Sequence, residues 1–124
     1  MWLRYLVVVF LCISTKGFTA QSITAQDLLI NQMSDNAYVI IDVRTKEEFN
    51  AGHLKGAINI PHDEIDQHKE VLSNFKSQEV VVYCRSGRRA GLFIDKLTSQ
   101  GYKLIHLQGD MNGWQGANLP TVVK

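Results

Sequence analysis

A chain of 124 residues with 13 basic and 12 acidic side chains has no charge excess with which to hold nucleic acid or an anionic membrane surface. Its length suits one domain around a single core. Two cysteines are too few for a disulfide framework or a cysteine-based zinc set.

In chain order, the first stretch stands apart from the rest. Met1-Trp2-Leu3-Arg4-Tyr5 is a short basic start, Leu6 to Ile13 an apolar run, and Ser14 to Ala20 a polar and small-residue close. That is the layout of a secretory signal peptide, and the run is well short of the about 20 residues a spanning helix needs. The expectation is cleavage near Ala20, although Phe18 fits the −3 position poorly, with an uncleaved anchor as the alternative. The mature protein is expected to be periplasmic or otherwise exported, with no stable membrane association. Residues 21–124 then form the domain. Arg4, Lys16 and Cys12 leave with the leader, so 11 basic residues face 12 acidic and Cys84 is the sole cysteine. A single thiol in an exported chain is better read as a reactive group than as half of a disulfide.

The mature part reads as alternating strands and helices. Ser22-Ile23 is a short opening strand. Thr24 and Asp27 suit a helix start, with Leu28, Leu29 and Met33 inward, and Ser34-Asp35-Asn36 ends it. Tyr38 to Ile41 is a continuous apolar strand. Thr45-Lys46-Glu47-Glu48 has the spacing of a capping box and opens a short helix through Asn50. Ala57 to Ile60 is a short strand closed by Pro61. His62 to Phe75 is helical, in two pieces, with Ile65, Val71, Leu72 and Phe75 inward. Leu104 to Leu107 is the last strand, Asp110 caps a final short helix bearing Trp114, and the chain beyond Pro120 is a loose tail. Phe49 and Trp114 read as core aromatics, although Trp114 could instead wall the mouth of a pocket. The alternation predicts an α/β fold: a single open, mainly parallel sheet with helices on both faces.

Within that order, Val80 to Gln100 carries the chemistry. Val80-Val81-Val82-Tyr83 is an apolar run of the kind buried on both faces of a sheet. Ala90, Phe93, Ile94 and Leu97 form one apolar helical stripe, and Gly101 ends the helix. Between them lies Cys84-Arg85-Ser86-Gly87-Arg88-Arg89. A loop that enters a helix presents unpaired amides and the positive end of the helix dipole, an environment that favours an anion or a thiolate. With three permanently charged guanidinium groups beside it, Cys84 reads as a nucleophile for an anionic substrate. The bland alternative is an inert core cysteine followed by solvated arginines. Ligand sites of open α/β sheets form at the carboxyl ends of strands. Asp42 and Cys84, each directly after an apolar strand, are expected there. Asp42 and Arg44 could act in catalysis, with Asp42 as a base, or brace the surrounding loops; bracing is preferred, since an ionised cysteine needs no base. His62, His68 and His106 have no partners at metal-ligand spacing, so no metal is implied.

The loop Cys84-Arg85-Ser86-Gly87-Arg88-Arg89 resembles the catalytic loop of rhodanese-type sulfurtransferases. Ile40-Ile41-Asp42-Val43-Arg44 with Glu47-Glu48-Phe49 resembles a first signature of that family, and Gly52-His53-Leu54-Lys55-Gly56-Ala57-Ile58-Asn59-Ile60-Pro61 a second. Gly109-Asp110-Met111-Asn112-Gly113-Trp114 is similar to its C-terminal turn, with Asp110 where a second glycine is common. The resemblance covers about Ile23 to Pro120. It implies the rhodanese-like fold and a sulfurtransferase in which Cys84 takes the sulfane sulfur of thiosulfate or a similar donor and passes it from a persulfide to cyanide or a thiol. Arg85, Ser86, Gly87, Arg88 and Arg89 are then the substrate-binding loop, with the charge of Arg89 and its neighbours holding the donor's sulfonate. Asp42, Arg44 and His53 support the site, His53 as a packing or capping residue, and no cofactor is implied. The alternatives are a cysteine-dependent phosphatase or arsenate reductase, and a non-catalytic sulfur carrier or interaction module. Phosphatases sharing the fold enclose their oxyanion with Cys-x5-Arg, whereas here position 90 is alanine and Arg89 makes the loop Cys-x4-Arg. Donor and acceptor in the cell, the pathway and the oligomeric state are not readable from the residues.

Overall fold

The computed structural model describes residues 21–123. The reading of residues 1–20, with Cys12, as a signal peptide lies outside the described residues.

Five strands form one open sheet: β1 (Gln21–Ile23), β2 (Val39–Asp42), β3 (Ile58–Asn59), β4 (Glu79–Tyr83) and β5 (Lys103–Leu107). Their order is β1-β5-β4-β2-β3, and every neighbouring pair is parallel. The helices are α1 (Ala25–Gln32), α2 (Lys46–Ala51), α3 (Lys69–Ser73), α4 (Arg88–Thr98) and α5 (Asp110–Gly116), with a 3-10 turn at Ile65–His68 leading into α3. Among the described residues no helix is long and apolar enough to cross a membrane.

Parallel strands are joined by crossovers, so helices cover both faces and central strands have no polar side. The alternation of side chains divides β4 between two apolar layers. Val80, Val82 and Cys84 pack with Ala90, Phe93, Ile94 and Leu97 of α4 and with Ile65 and Leu72. Val81 and Tyr83 pack on the other face with Leu28 of α1, Leu54, and Met111 and Trp114 of α5. The predicted stripe of α4 is buried at all four positions. The capping box of α2 forms, with the Thr45 hydroxyl on the Glu48 amide and the Glu48 carboxylate on the Thr45 amide.

Three expectations are corrected, and one alternative is decided. Met33 is 74% exposed because α1 ends at Gln32, which leaves Met33 beyond the buried stripe. Val71 is also exposed, since the five-residue α3 turns only Leu72 into the core. For Trp114 the core reading holds: it is fully buried and its indole N–H donates to the Pro120 carbonyl at 2.9 Å, so it walls no pocket mouth. The tail is not loose: Val122 and His53 exchange two backbone hydrogen bonds of 2.9 and 2.8 Å in an isolated antiparallel bridge.

Candidate active site

Cys84 follows the last residue of the central strand, and the chain turns directly into α4. Gly87 makes the turn possible. It adopts φ +115°, and a Cβ there would sit 3.1 Å from Asp110 Oδ2. The Gly87 amide donates to Cys84 Sγ at 3.0 Å. The amides of Arg88, Arg89 and Ala90, which open α4, have no partner within the helix's own ladder. From behind, the amides of Met111 and Asn112 donate to the carbonyls of Cys84 and Arg85 at 2.9 and 3.0 Å. These bonds hold the strand end of the loop backbone. The sulfur lies recessed, with Cys84 only 1% exposed.

The three arginines differ in what they do. Arg85 and Arg88 are exposed beside the loop. Arg89 is half-buried and forms a two-pronged pair with Glu48, Nη1 to Oε1 at 2.6 Å and Nη2 to Oε2 at 3.0 Å. Both of its terminal nitrogens are engaged, so it ties the start of α4 to α2. Ser86 is exposed at the outer face of the loop.

Glu48 is doubly committed, because the carboxylate that caps α2 also receives Arg89. Its carboxyl is held down to about 2, chiefly by the hydrogen bond from Arg89. An acid whose folded value lies below its ordinary 4.5 adds stability above that ordinary value and loses it as pH falls towards the folded one. The stability gap between wild type and Glu48→Gln is therefore expected to be constant at neutral pH and to close between about pH 5 and 2, read from thermal unfolding at a series of pH values. A gap that does not change with pH would assign the effect to packing rather than charge.

Asp42 lies on the far side of the sheet from the thiol. It pairs in register with Tyr83, not Cys84, and its carboxylate meets the Tyr83 hydroxyl at 2.7 Å. Fully buried, it also accepts the Arg44 amide at 2.9 Å and the Arg44 guanidinium at 2.7 to 3.1 Å. Arg44 reaches on to the Gly52 carbonyl at 2.7 Å, and the Tyr83 hydroxyl accepts the Leu54 amide at 3.1 Å. Burial and the neighbouring Asp42 charge raise the Tyr83 phenol well above its ordinary value, so it stays a donor. The network fastens the β2–α2 turn and residues 52–54 to the central strand. His53 stacks on Phe49 with ring centroids 3.7 Å apart, and its Nδ1 bonds the Phe49 carbonyl at 2.8 Å. A carbonyl only accepts, so Nδ1 carries the proton and the ring caps the end of α2.

One pair escaped the sequence reading. Asp110 does not cap α5; Gly109 occupies the N-cap and Asp110 takes φ 53°, which turns its carboxylate back under the loop. There it accepts the Cys84 amide at 3.0 Å, lies 3.6 Å from Sγ, and bonds His106 Nε2 at 2.9 and 3.0 Å. The available signals were Asp110 in place of the usual glycine and a histidine four residues before it. Among the described residues no three side chains are grouped so as to hold a metal ion.

The sequence profile described as the Rhodanese-like domain matches residues 25–117 of the chain. Putative sulfurtransferase YtwF of Bacillus subtilis is 34% identical over 87 residues, which is 70% of this chain and 82% of that protein. Thiosulfate sulfurtransferase PspE of Escherichia coli is 35% identical over 71 residues, 57% of this chain and 68% of its own. Among solved structures, a rhodanese-related protein from Thermoplasma volcanium superposes with a TM-score of 0.74 at 28% identity, covering 84% of this chain and 99% of that one.

Proposed function

Since the chain belongs to the rhodanese-like domain family, we propose that it is a thiosulfate sulfurtransferase in which Cys84 carries the sulfur. The observation that carries this reading is the setting of Sγ: a recessed sulfur at the end of the central strand, 3.0 Å from the Gly87 amide, under the mouth of α4. Arg85 and Arg88 stand beside it as open cations.

In the first half-reaction the Cys84 thiolate attacks the outer sulfur of thiosulfate. The S–S bond of the donor breaks, its electron pair leaves with sulfite, and a new S–S bond to Cys84 forms. Arg85 and Arg88 attract the dianion and hold its sulfonate oxygens. The persulfide's terminal sulfur is anionic and is stabilised by the loop's amides. In the second half-reaction a thiolate or cyanide attacks that terminal sulfur and the Cys84 thiolate leaves. The recession of Sγ suits this chemistry, because the transferred atom stands about 2 Å farther out than the cysteine and is the one the acceptor meets. A loop of Cys-x4-Arg whose arginine is already paired with Glu48 favours a single sulfur over a tetrahedral phosphate or arsenate.

Export is part of the proposal and rests on the pattern of residues 1–20. Intact-mass spectrometry tests both parts on protein made with its native N-terminus and incubated with thiosulfate. The expected spectrum shows a chain lacking roughly its first 20 residues and heavier by one sulfur atom at Cys84. A mass unchanged by thiosulfate would overturn the sulfurtransferase reading, and a full-length chain in the cytoplasmic fraction would overturn export.

A further inference from the structure

The proposed reaction uses Cys84, the loop amides and the exposed arginines, and leaves Asp110 and His106 unexplained. Asp110 is 2% exposed, yet its Oδ1 lies 3.6 Å from Sγ. The Cys84 thiol donates to that oxygen, and once its proton is lost two like charges share a dry site. A nucleophilic thiolate needs this conflict resolved.

The imidazole supplies the resolution. A carboxylate only accepts, so His106 Nε2 bears a proton while the bond to Asp110 stands, and the ring gains its second proton at Nδ1. The hydrogen bond it donates to Asp110 raises the His106 pKa above its ordinary value. With its side chain 28% exposed, the ring exchanges protons with solvent. We propose that His106 and Asp110 set the charge of Cys84: a proton lost from the thiol is matched by one gained at His106 Nδ1, so the thiolate forms beside a neutral ion pair rather than a bare carboxylate. The S–H bond breaks, an N–H bond forms by way of solvent, and the net charge of the three groups stays at minus one.

The other charges around the sulfur are otherwise committed. Arg89 of α4 acts on Cys84 electrostatically but is paired with Glu48 of α2. Asp42, Arg44 and Tyr83 close their own network on the opposite face. Arg85 and Arg88 are exposed and screened by water. Among the described residues Asp110 is the charged group acting on His106. Both are positioning residues that act through the protonation of Cys84.

The inference rests on Cys84 as the nucleophile for its bearing on turnover, but its test needs no sulfur donor. Alkylation of Cys84 by iodoacetamide reports the thiolate population, followed as a function of pH. His106→Gln keeps an N–H donor on Asp110 without taking up charge, and is expected to slow alkylation near neutral pH about tenfold and move the profile to higher pH. Asp110→Asn keeps the acceptor for the Cys84 amide and is expected to speed it and move the profile to lower pH. A merely structural pair gives shifts of one sign in both variants, or none, and either result overturns the proposal. The reciprocal measurement needs no variant: alkylation of Cys84 in the wild type should move the His106 imidazole titration, read by NMR, to lower pH. An unmoved titration overturns it as well. A chain that alkylates as expected but transfers no sulfur would instead overturn the proposed function alone.

Discussion

Cys84→Ser is expected to abolish the transfer of sulfur from thiosulfate to cyanide, a loss of at least about a thousandfold, while the fold survives. The serine hydroxyl is barely ionised at neutral pH and forms no persulfide. Its oxygen fits the place of the sulfur, with the Gly87 amide to donate to it and Asp110 to accept from it. Steady-state assay with thiosulfate and cyanide, alongside thermal unfolding, separates the two effects. Residual transfer near the wild-type rate would show that sulfur is carried elsewhere. In the same assay series, hydrolysis of p-nitrophenyl phosphate by the wild type should be negligible, since Arg89 is one residue short of the phosphatase spacing and is bound to Glu48.

Asp42→Ala is expected to produce the largest loss of stability. Removing the carboxylate strips Arg44, 5% exposed, of its counter-charge and leaves the Tyr83 hydroxyl without an acceptor. Breaking a buried pair from one side typically costs about 3–5 kcal/mol. For a domain of this size that lowers the melting temperature by on the order of 20 °C. Turnover of the fraction that remains folded should change only a few-fold, because Asp42 projects from the face of the sheet opposite to the thiol. Unchanged melting with a hundredfold loss of turnover would make Asp42 a participant in the chemistry.

The parts of this molecule that declare themselves in sequence are those governed by local periodicity. Val80 to Tyr83 and Ala90 to Leu97 announce a buried strand and an amphipathic helix, and Thr45 to Glu48 a capping box, because each pattern closes within a few residues. The face of the sheet on which Asp42 lies is set by register between β2 and β4, which no local pattern encodes. The second bond of Glu48 spans 41 residues, so the capping box was visible and the clamp on Arg89 was not. Asp110 misled for a physical reason. Aspartate is a favoured N-cap, and only the left-handed turn through Gly109 and Asp110 swings its carboxylate towards Cys84 and His106 instead. The spacing of the loop likewise does not reveal which of its arginines is paired, and Arg89 proves to be the one held by Glu48.

The order β1-β5-β4-β2-β3 has a consequence for synthesis. On a ribosome, β4 emerges with only β2 available on one flank, and its other flank awaits β5. Until then Val80-Val81-Val82-Tyr83 is a bare, β-branched edge without charge, the kind of segment that pairs with neighbouring chains. β1 waits longest of all: Ser22 meets Gln108 across 86 residues, so the first described strand is seated only after the last has arrived. The nascent chain therefore passes through a stage in which its future central strand is its stickiest surface, and a holdase that masks this segment until β5 appears should raise the yield of native protein.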